Sequence, residues 1–63
     1  MRRILKEKRE KMNYTQKEIA HKLNISRATY TNIENGNRNP SFNLAMRIKE
    51  VLSYQNDNIF LNE

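Results

Sequence analysis

The chain has 63 residues, with 12 Lys and Arg against seven Asp and Glu, a formal net charge of +5 at pH 7. This length fits one domain over residues 1–63, with a core that leaves a net stability of about 3 to 5 kcal/mol. Because cysteine is absent, a disulfide framework and a thiolate metal site are excluded. No apolar run approaches the roughly 18 residues of a membrane span and no apolar leader is present, so we expect a cytoplasmic protein with no membrane partner.

Helices joined by short turns are favoured by a composition rich in Lys, Glu, Leu, Ile and Asn, with one Gly and one Pro. A first amphipathic helix is predicted over residues 2–12, with apolar residues at Met1, Ile4, Leu5 and Met12. Asn13 ends it, because asparagine tolerates left-handed backbone angles. A capping box formed by Thr15 and Glu18 predicts a second helix over residues 16–23.

A short break separates the second helix from Ser26, a good N-cap for a third helix over residues 27–34. Two short helices joined in this way are typical of a helix-turn-helix. Gly36 ends the third helix, and Ser41 caps a fourth helix that has the strongest apolar periodicity in the chain. Asp57 is expected to cap a final short helical turn. The pattern therefore predicts an all-α domain.

Positive charge is concentrated in the first half of the chain. Residues 1–27 contain nine basic and three acidic residues, a net charge of +6, whereas residues 28–63 have a net charge of −1. A polyanion would be attracted to the first half. Surface Lys and Arg also keep small proteins soluble, so charge alone leaves nucleic-acid binding and solubility as equal alternatives.

The third helix carries an outward stripe of small and polar residues, namely Arg27, Ala28, Thr31 and Asn32. In a major groove, Arg can donate two hydrogen bonds to guanine, Asn can pair with adenine, and an Ala or Thr methyl can contact the thymine methyl. At the start of the second helix, Thr15, Gln16 and Lys17 lie where backbone amides favour a phosphate. The alternatives are an ordinary solvated helix face and ordinary capping.

Catalysis finds little support in the sequence. His21 is the only histidine and lies on the exposed face of a basic helix. The glutamates of the first two helices alternate with Lys and Arg, as in helix ion pairs. With a single Gly there is no glycine-rich phosphate loop. We therefore expect no enzyme activity, and no metal, cofactor or small-molecule ligand.

One series of residues resembles a known family across essentially the whole chain: Thr15-Gln16-Lys17-Glu18-Ile19-Ala20, Leu23, Ile25-Ser26-Arg27, Thr29, Ile33-Glu34-Asn35-Gly36, Arg38-Asn39-Pro40-Ser41, Leu44-Ala45 and Ile48. It resembles the Cro/C1-type (XRE) helix-turn-helix of phage repressors and related bacterial regulators. Asn13 and Asn24 stand where this family usually has Gly. The resemblance implies a compact five-helix, lambda-repressor-like DNA-binding domain whose helix-turn-helix unit covers about residues 15–34.

The resemblance also implies roles for particular residues. The third helix would enter the major groove of double-stranded DNA, with the stripe defined above facing the bases. Gln16 would contact a phosphate, and the DNA backbone would be held by residues that follow the third helix, namely Asn35, Asn37, Arg38, Ser41 and Phe42. Similar domains pair an Arg of helix 1 with the Glu that ends helix 3. Here this implies a partly buried salt bridge between Arg9 and Glu34.

Two features are less clearly placed by the family pattern. Tyr30 replaces the usual Ile or Val, and we expect its ring to pack inward while its hydroxyl reaches the surface, with a structural role favoured over a phosphate contact. The apolar residues near the end of the chain, Tyr54, Ile59, Phe60 and Leu61, are candidates for a dimer contact. The equal alternative is that they close the small core.

The resemblance implies a sequence-specific regulator, in the first place a repressor, of phage, mobile-element or bacterial type. It would bind a pseudo-palindromic operator as a homodimer in the bacterial nucleoid or a phage-infected host cell. The alternative is an interaction protein, such as an antitoxin or a phage-encoded inhibitor, whose main partner is another protein. RNA is a weaker choice, because the chain lacks an exposed aromatic platform on which bases stack.

Overall fold

The first helix, α1, spans Arg3–Lys11 in the computed structural model, which describes all residues 1–63. Leu5 and Arg9 are its buried residues. Met1 and Met12, expected on the apolar face, are 42% and 39% exposed. The face that α1 buries is therefore narrower than the sequence predicts, and one of the two side chains that it buries is charged.

The second helix, α2, spans Gln16–Lys22 and begins at the predicted capping box. The Glu18 backbone N–H donates to the Thr15 hydroxyl at 3.0 Å, and the Thr15 backbone N–H donates to the Glu18 carboxylate at 2.9 Å. The hydrogen bonds from the backbone and then the side chain of Thr15 hold the pKa of Glu18 below its ordinary value. This local prediction is confirmed.

The third helix, α3, spans Arg27–Asn35, and the Ser26 hydroxyl caps it by accepting from the Thr29 N–H at 3.1 Å. Gly36 ends it with φ of +87°. The left-handed backbone angle favours glycine, and a Cβ at this position would displace the exposed side-chain amide of Asn62.

Two asparagines make the turns that glycine makes in the family pattern. Asn13 follows α1 with φ of +63°, and Asn24 follows α2 with φ of +58°. The left-handed turn expected at Asn13 is therefore confirmed. Ser53 adopts φ of +51° just after the fourth helix, a turn for which serine gives no specific signal.

The fourth helix, α4, spans Phe42–Val51, and its cap is the predicted Ser41, whose hydroxyl accepts from the Leu44 N–H at 3.2 Å. The final helical turn is a 3₁₀ helix over Asp57–Phe60, so the domain has four α-helices and one 3₁₀ helix rather than five equivalent helices. Asn56 caps this turn in place of the expected Asp57, because its side chain accepts the Asn58 N–H at 2.9 Å.

A single apolar core joins these elements. α2 packs on α3, and α1 packs on both α3 and the 3₁₀ helix. Burial of each large aliphatic or aromatic side chain contributes about 1.5 to 3 kcal/mol relative to its exposure. The buried apolar residues are Leu5, Ile19, Ala20, Leu23, Tyr30, Ile33, Ile48, Leu52 and Ile59. None of the helices has the length and apolar character needed to cross a membrane.

Candidate nucleic-acid interface

The two faces of α3 have opposite character. Its inward face carries Tyr30, Ile33 and Glu34, all buried. The stripe predicted to face outward is exposed at Arg27, Ala28 and Asn32, whereas Thr31 is half-buried. An apolar anchor on one side and three exposed side chains on the other leave this helix free to present the stripe to a ligand.

Arg9 and Glu34 form a bidentate ion pair between α1 and α3. The Arg9 Nε lies 2.9 Å from Glu34 Oε2, and its Nη2 lies 3.0 Å from Glu34 Oε1. The two side chains are 9% and 1% exposed. A third bond from Arg9 Nη1 to the Tyr14 carbonyl, at 2.7 Å, ties the turn before α2 to the same group. The hydrogen bond to Glu34 raises the pKa of Arg9 above its ordinary value.

Gln16 links this ion pair to the outward stripe. Its Oε1 accepts a hydrogen bond from the Thr31 hydroxyl at 3.0 Å, and its Nε2 lies 3.5 Å from Glu34 Oε1. The Thr31 hydroxyl therefore donates its hydrogen bond within the protein. The Thr31 methyl group and the acceptor capacity of its hydroxyl oxygen remain available, as does the second N–H of the Gln16 Nε2.

The other side chains at the start of α2 have different duties. The Thr15 hydroxyl oxygen already accepts from the Glu18 N–H, so its part in the helix cap is established by the geometry. Lys17 is exposed and takes part in none of the ion pairs of the chain. Lys17 therefore has a positive charge that is available to an anion, whereas Thr15 is uncharged.

The residues that follow α3 form an exposed segment next to the stripe. Its backbone is tied to α3 because the N–H groups of Asn37 and Arg38 both donate to the Asn32 carbonyl, at 2.9 and 3.2 Å. Phe42, at the start of α4, is 79% exposed. The side chains that the family resemblance associates with the DNA backbone are all exposed: Asn35 at the end of α3, Asn37, Arg38 and Ser41 after it, and Phe42 at the start of α4.

Sequence reasoning missed Arg2. It counts as one of the nine basic residues of the first half, yet it is 3% exposed, and its guanidinium donates to the backbone carbonyls of Ile33, Arg38 and Phe60. These acceptors lie 31 to 58 residues away along the chain. No local pattern could have found them. Because Arg2 and Arg9 are both buried, the surface that a polyanion can meet has two positive charges fewer than the sequence suggests.

The expected position of the Tyr30 hydroxyl was wrong. The whole residue is 0% exposed, and its hydroxyl is buried without a hydrogen-bond partner. Burial raises the pKa of this phenol well above its ordinary value, and the neighbouring Glu34 carboxylate adds to the rise. The hydroxyl is therefore enclosed by the protein and does not reach the surface.

The candidate dimer residues are divided by the fold. Ile59 is 0% exposed within the core of its own chain, so it offers no surface to a partner. Tyr54 and Phe60 are half-buried against the same core, and the Tyr54 hydroxyl donates to Asn58 Oδ1 at 2.9 Å. Leu61 alone of the four is exposed, at 57%.

Comparison with known proteins places the chain among regulators. A family model described as helix-turn-helix matches residues 5–55. An uncharacterized HTH-type transcriptional regulator of Archaeoglobus fulgidus is 39% identical over 61 residues, which cover 97% of this chain and 86% of the relative. The uncharacterized HTH-type transcriptional regulator YqaF of Bacillus subtilis is 44% identical over 54 residues, covering 86% and 71%. One from Methanocaldococcus jannaschii is 38% identical over 63 residues, covering 100% and 96%. No solved structure matches the chain significantly.

Proposed function

The chain belongs to the Cro/C1-type helix-turn-helix family of DNA-binding transcriptional regulators, and on this premise we propose that it is a repressor that binds a pseudo-palindromic operator as a homodimer. In this proposal each subunit places α3 in one major groove. The two-fold symmetry of the dimer then matches the symmetry of the operator.

The observation that carries the proposal is the anchoring of α3. Its inward face is held by the core and by the buried pair of Arg9 and Glu34, while Arg27, Ala28 and Asn32 are exposed on the other side. A recognition helix needs this division, because base readout requires side chains held at fixed positions relative to the DNA backbone.

Each exposed residue of the stripe has a base partner that suits its chemistry. Arg27 donates two hydrogen bonds to guanine, and Asn32 pairs with adenine. Ala28 offers a methyl group to thymine. Thr31 offers a methyl group too, because its hydroxyl is engaged by Gln16 at 3.0 Å. We propose these four as the base-reading residues.

Phosphate contacts would fix the register of α3 on the duplex. Gln16 would donate from its amide group and Lys17 from its ammonium group, both at the start of α2. The exposed segment after α3 would contact the backbone on the other side of the groove. The full proposed set is Thr15, Gln16, Lys17, Asn35, Asn37, Arg38, Ser41 and Phe42. Lys17 and Arg38, the two cations of this set, would contribute to the salt dependence of the affinity.

Dimerisation is proposed through the exposed side of the C-terminal segment. Leu61 is its most exposed apolar side chain, at 57%, with the half-buried rings of Tyr54 and Phe60 as further contributors. Ile59 supports this surface from inside the core without belonging to it.

The test is selection of bound sequences from a pool of random DNA duplexes at near-physiological salt. An enriched inverted repeat with half-site centres about 34 to 36 Å apart is expected from a dimer that reads two successive major grooves. Enrichment of a single half-site would retain DNA reading and contradict the dimer. Salt-sensitive retention of all sequences without enrichment would contradict sequence-specific repression and favour an interaction protein instead.

A further inference from the structure

Arg2 lies just before α1, and its guanidinium is almost completely enclosed. The residue is 3% exposed. Its Nε donates to the Phe60 carbonyl at 3.0 Å, its Nη1 donates to the carbonyls of Ile33 at 2.6 Å and Arg38 at 3.0 Å, and its Nη2 donates to Asn39 Oδ1 at 2.6 Å. Four of the five N–H groups of the guanidinium are therefore engaged.

This buried cation is held by dipoles rather than by a carboxylate, since Arg2 takes part in none of the ion pairs of the chain. Two of its bonds reach the last turn of α3: the side chain meets the Ile33 carbonyl, and the backbone N–H donates to the Glu34 carbonyl at 2.7 Å. The carbonyl end of a helix carries a partial negative charge that favours a cation. Arg2 thus donates hydrogen bonds to carbonyl groups at the C-terminal end of α3, the helix that carries the outward stripe.

Two further bonds of Arg2 reach the segment after α3, and the fifth goes to the Phe60 carbonyl of the 3₁₀ helix. Its guanidinium binds the Arg38 carbonyl and the Asn39 side chain, while the Arg38 N–H donates to Asn32 of α3 at 3.2 Å. The backbone of Arg38 is therefore held on both sides of its Cα. Its own side chain is exposed and takes part in no ion pair.

From this geometry we propose that Arg2 is a positioning residue: it fixes the backbone of Arg38 and Asn39 relative to α3, so that the Arg38 guanidinium is presented to a DNA phosphate. The inference rests on the proposed function. From the sequence, Arg2 is counted among the basic residues that attract a polyanion. In this proposal it acts from inside the protein, through Arg38, which lies 36 residues away.

The experiment compares Arg2→Met with Arg3→Met on the selected duplex. Both variants remove one positive charge from the same end of the chain, but the Arg3 side chain is 63% exposed and pairs with Glu63 at the surface. For Arg2→Met we expect about fivefold weaker binding. The dependence of log K on log salt should become shallower by about 0.9, the value of one phosphate contact. Arg3→Met should leave this slope close to that of the unaltered protein.

The decisive control combines Arg2→Met with Arg38→Met in one protein. If Arg2 acts through Arg38, then Arg2→Met should cause no further loss of affinity in a protein that already carries Arg38→Met. Independent, additive losses would overturn the proposal. Circular dichroism establishes that each variant is folded at the temperature of the binding measurement.

A milder variant keeps the test available if Arg2→Met does not fold. Asn39→Ala removes one acceptor of the Arg2 guanidinium and leaves the carbonyl bonds at the end of α3 in place. It should weaken binding in the same direction by a smaller factor, and its effect should also vanish in the Arg38→Met background. An unchanged affinity and an unchanged slope would overturn the proposal.

A measurement without DNA separates failure of this inference from failure of the proposed function. The ¹⁵N order parameters of the amides at residues 37–39 should fall in Arg2→Met or Asn39→Ala and remain high in Arg3→Met. Unchanged order parameters would overturn the positioning role, whatever the protein binds. If the order parameters fall in these variants but the unaltered protein binds no duplex, Arg2 does hold residues 37–39 in place. That result would overturn the proposed function and, with it, the DNA role of Arg38.

Discussion

The guanidinium of Arg9 and the carboxylate of Glu34 meet in two hydrogen bonds of 2.9 and 3.0 Å, although 25 residues separate them in the chain. Arg9 belongs to α1, and Glu34 lies in the last turn of α3. The pair therefore sets how the helix with the outward stripe lies on the rest of the domain. Gln16 extends the contact from the same carboxylate to Thr31 on that stripe.

Glu34→Ala should strongly destabilise the domain. Removing one member of a buried pair leaves the other charge without its partner, at a cost of about 3 to 5 kcal/mol. This is comparable to the whole net stability of about 3 to 5 kcal/mol for so small a core. Urea denaturation should show a variant that is largely unfolded at 25 °C. The control is Glu7→Ala at the exposed Arg3–Glu7 pair, whose side chains are 63% and 62% exposed and whose loss should cost about 0 to 1 kcal/mol. Equal effects of the two variants would contradict a structural role for the buried pair.

Glu18→Ala should make thermal stability less dependent on pH. The pKa of Glu18 is lowered in the folded protein by the hydrogen bonds from Thr15, so the carboxylate stabilises the fold above its unfolded-state pKa. That contribution is lost as the pH falls through the lower, folded-state pKa. The melting temperature of the unaltered protein should exceed that of the variant at neutral pH, and the difference should shrink on acidification. A difference that stays constant from neutral to acidic pH would show that the carboxylate charge plays no part in the cap.

Tyr30→Phe should leave the domain as stable as before or make it more stable. The hydroxyl is buried without a partner, and such a group costs about 1 to 3 kcal/mol. Tyr54→Phe is the matched control, because its hydroxyl donates to Asn58 at 2.9 Å and its removal should cost about 0.5 to 1.5 kcal/mol. The comparison requires only two denaturation curves. A large loss of stability in Tyr30→Phe would mean that the phenol oxygen makes a contact that its geometry does not reveal.

Arg27→Ala should weaken binding to the selected duplex by about 1 to 3 kcal/mol and relax the base preference at one position of each half-site. Lys17→Ala should instead weaken all sequences alike and make the salt dependence shallower by about 0.9. Binding titrations on the selected duplex and on single-position variants of it distinguish the two outcomes. Equal losses on every sequence would reassign Arg27 to a phosphate.

Leu61→Glu should abolish cooperative binding to the two half-sites and leave binding to a single half-site unchanged. A carboxylate at an apolar contact between subunits has no partner there and loses its hydration. Met46→Glu, at a residue of α4 that is 43% exposed, should leave cooperativity intact. Titrations of duplexes with one and two half-sites provide the measurement. Retained cooperativity in Leu61→Glu would place the dimer contact elsewhere.

Features that depend on neighbours in the chain could be predicted from the sequence. The caps at Thr15, Ser26 and Ser41 each satisfy an amide three residues further on. Asn13 takes the left-handed angle expected of it. Such signals are readable because both partners lie within one helical turn, where the residue types alone determine which hydrogen bond can form.

Which polar groups and apolar side chains are enclosed depends on contacts between elements that are distant in the chain. The sequence counts Arg2 as surface charge, whereas the fold buries it among carbonyls that lie 31 to 58 residues away. It leaves Ile59 undecided between a dimer contact and the core, and α1 packing on the 3₁₀ helix resolves this in favour of the core. From the sequence we expect the Tyr30 hydroxyl at the surface, whereas the residue is fully buried. The physical reason is the same in each case: burial is set by the packing of elements distant in the chain, and residue types and their spacing determine one face of a helix but not what covers it.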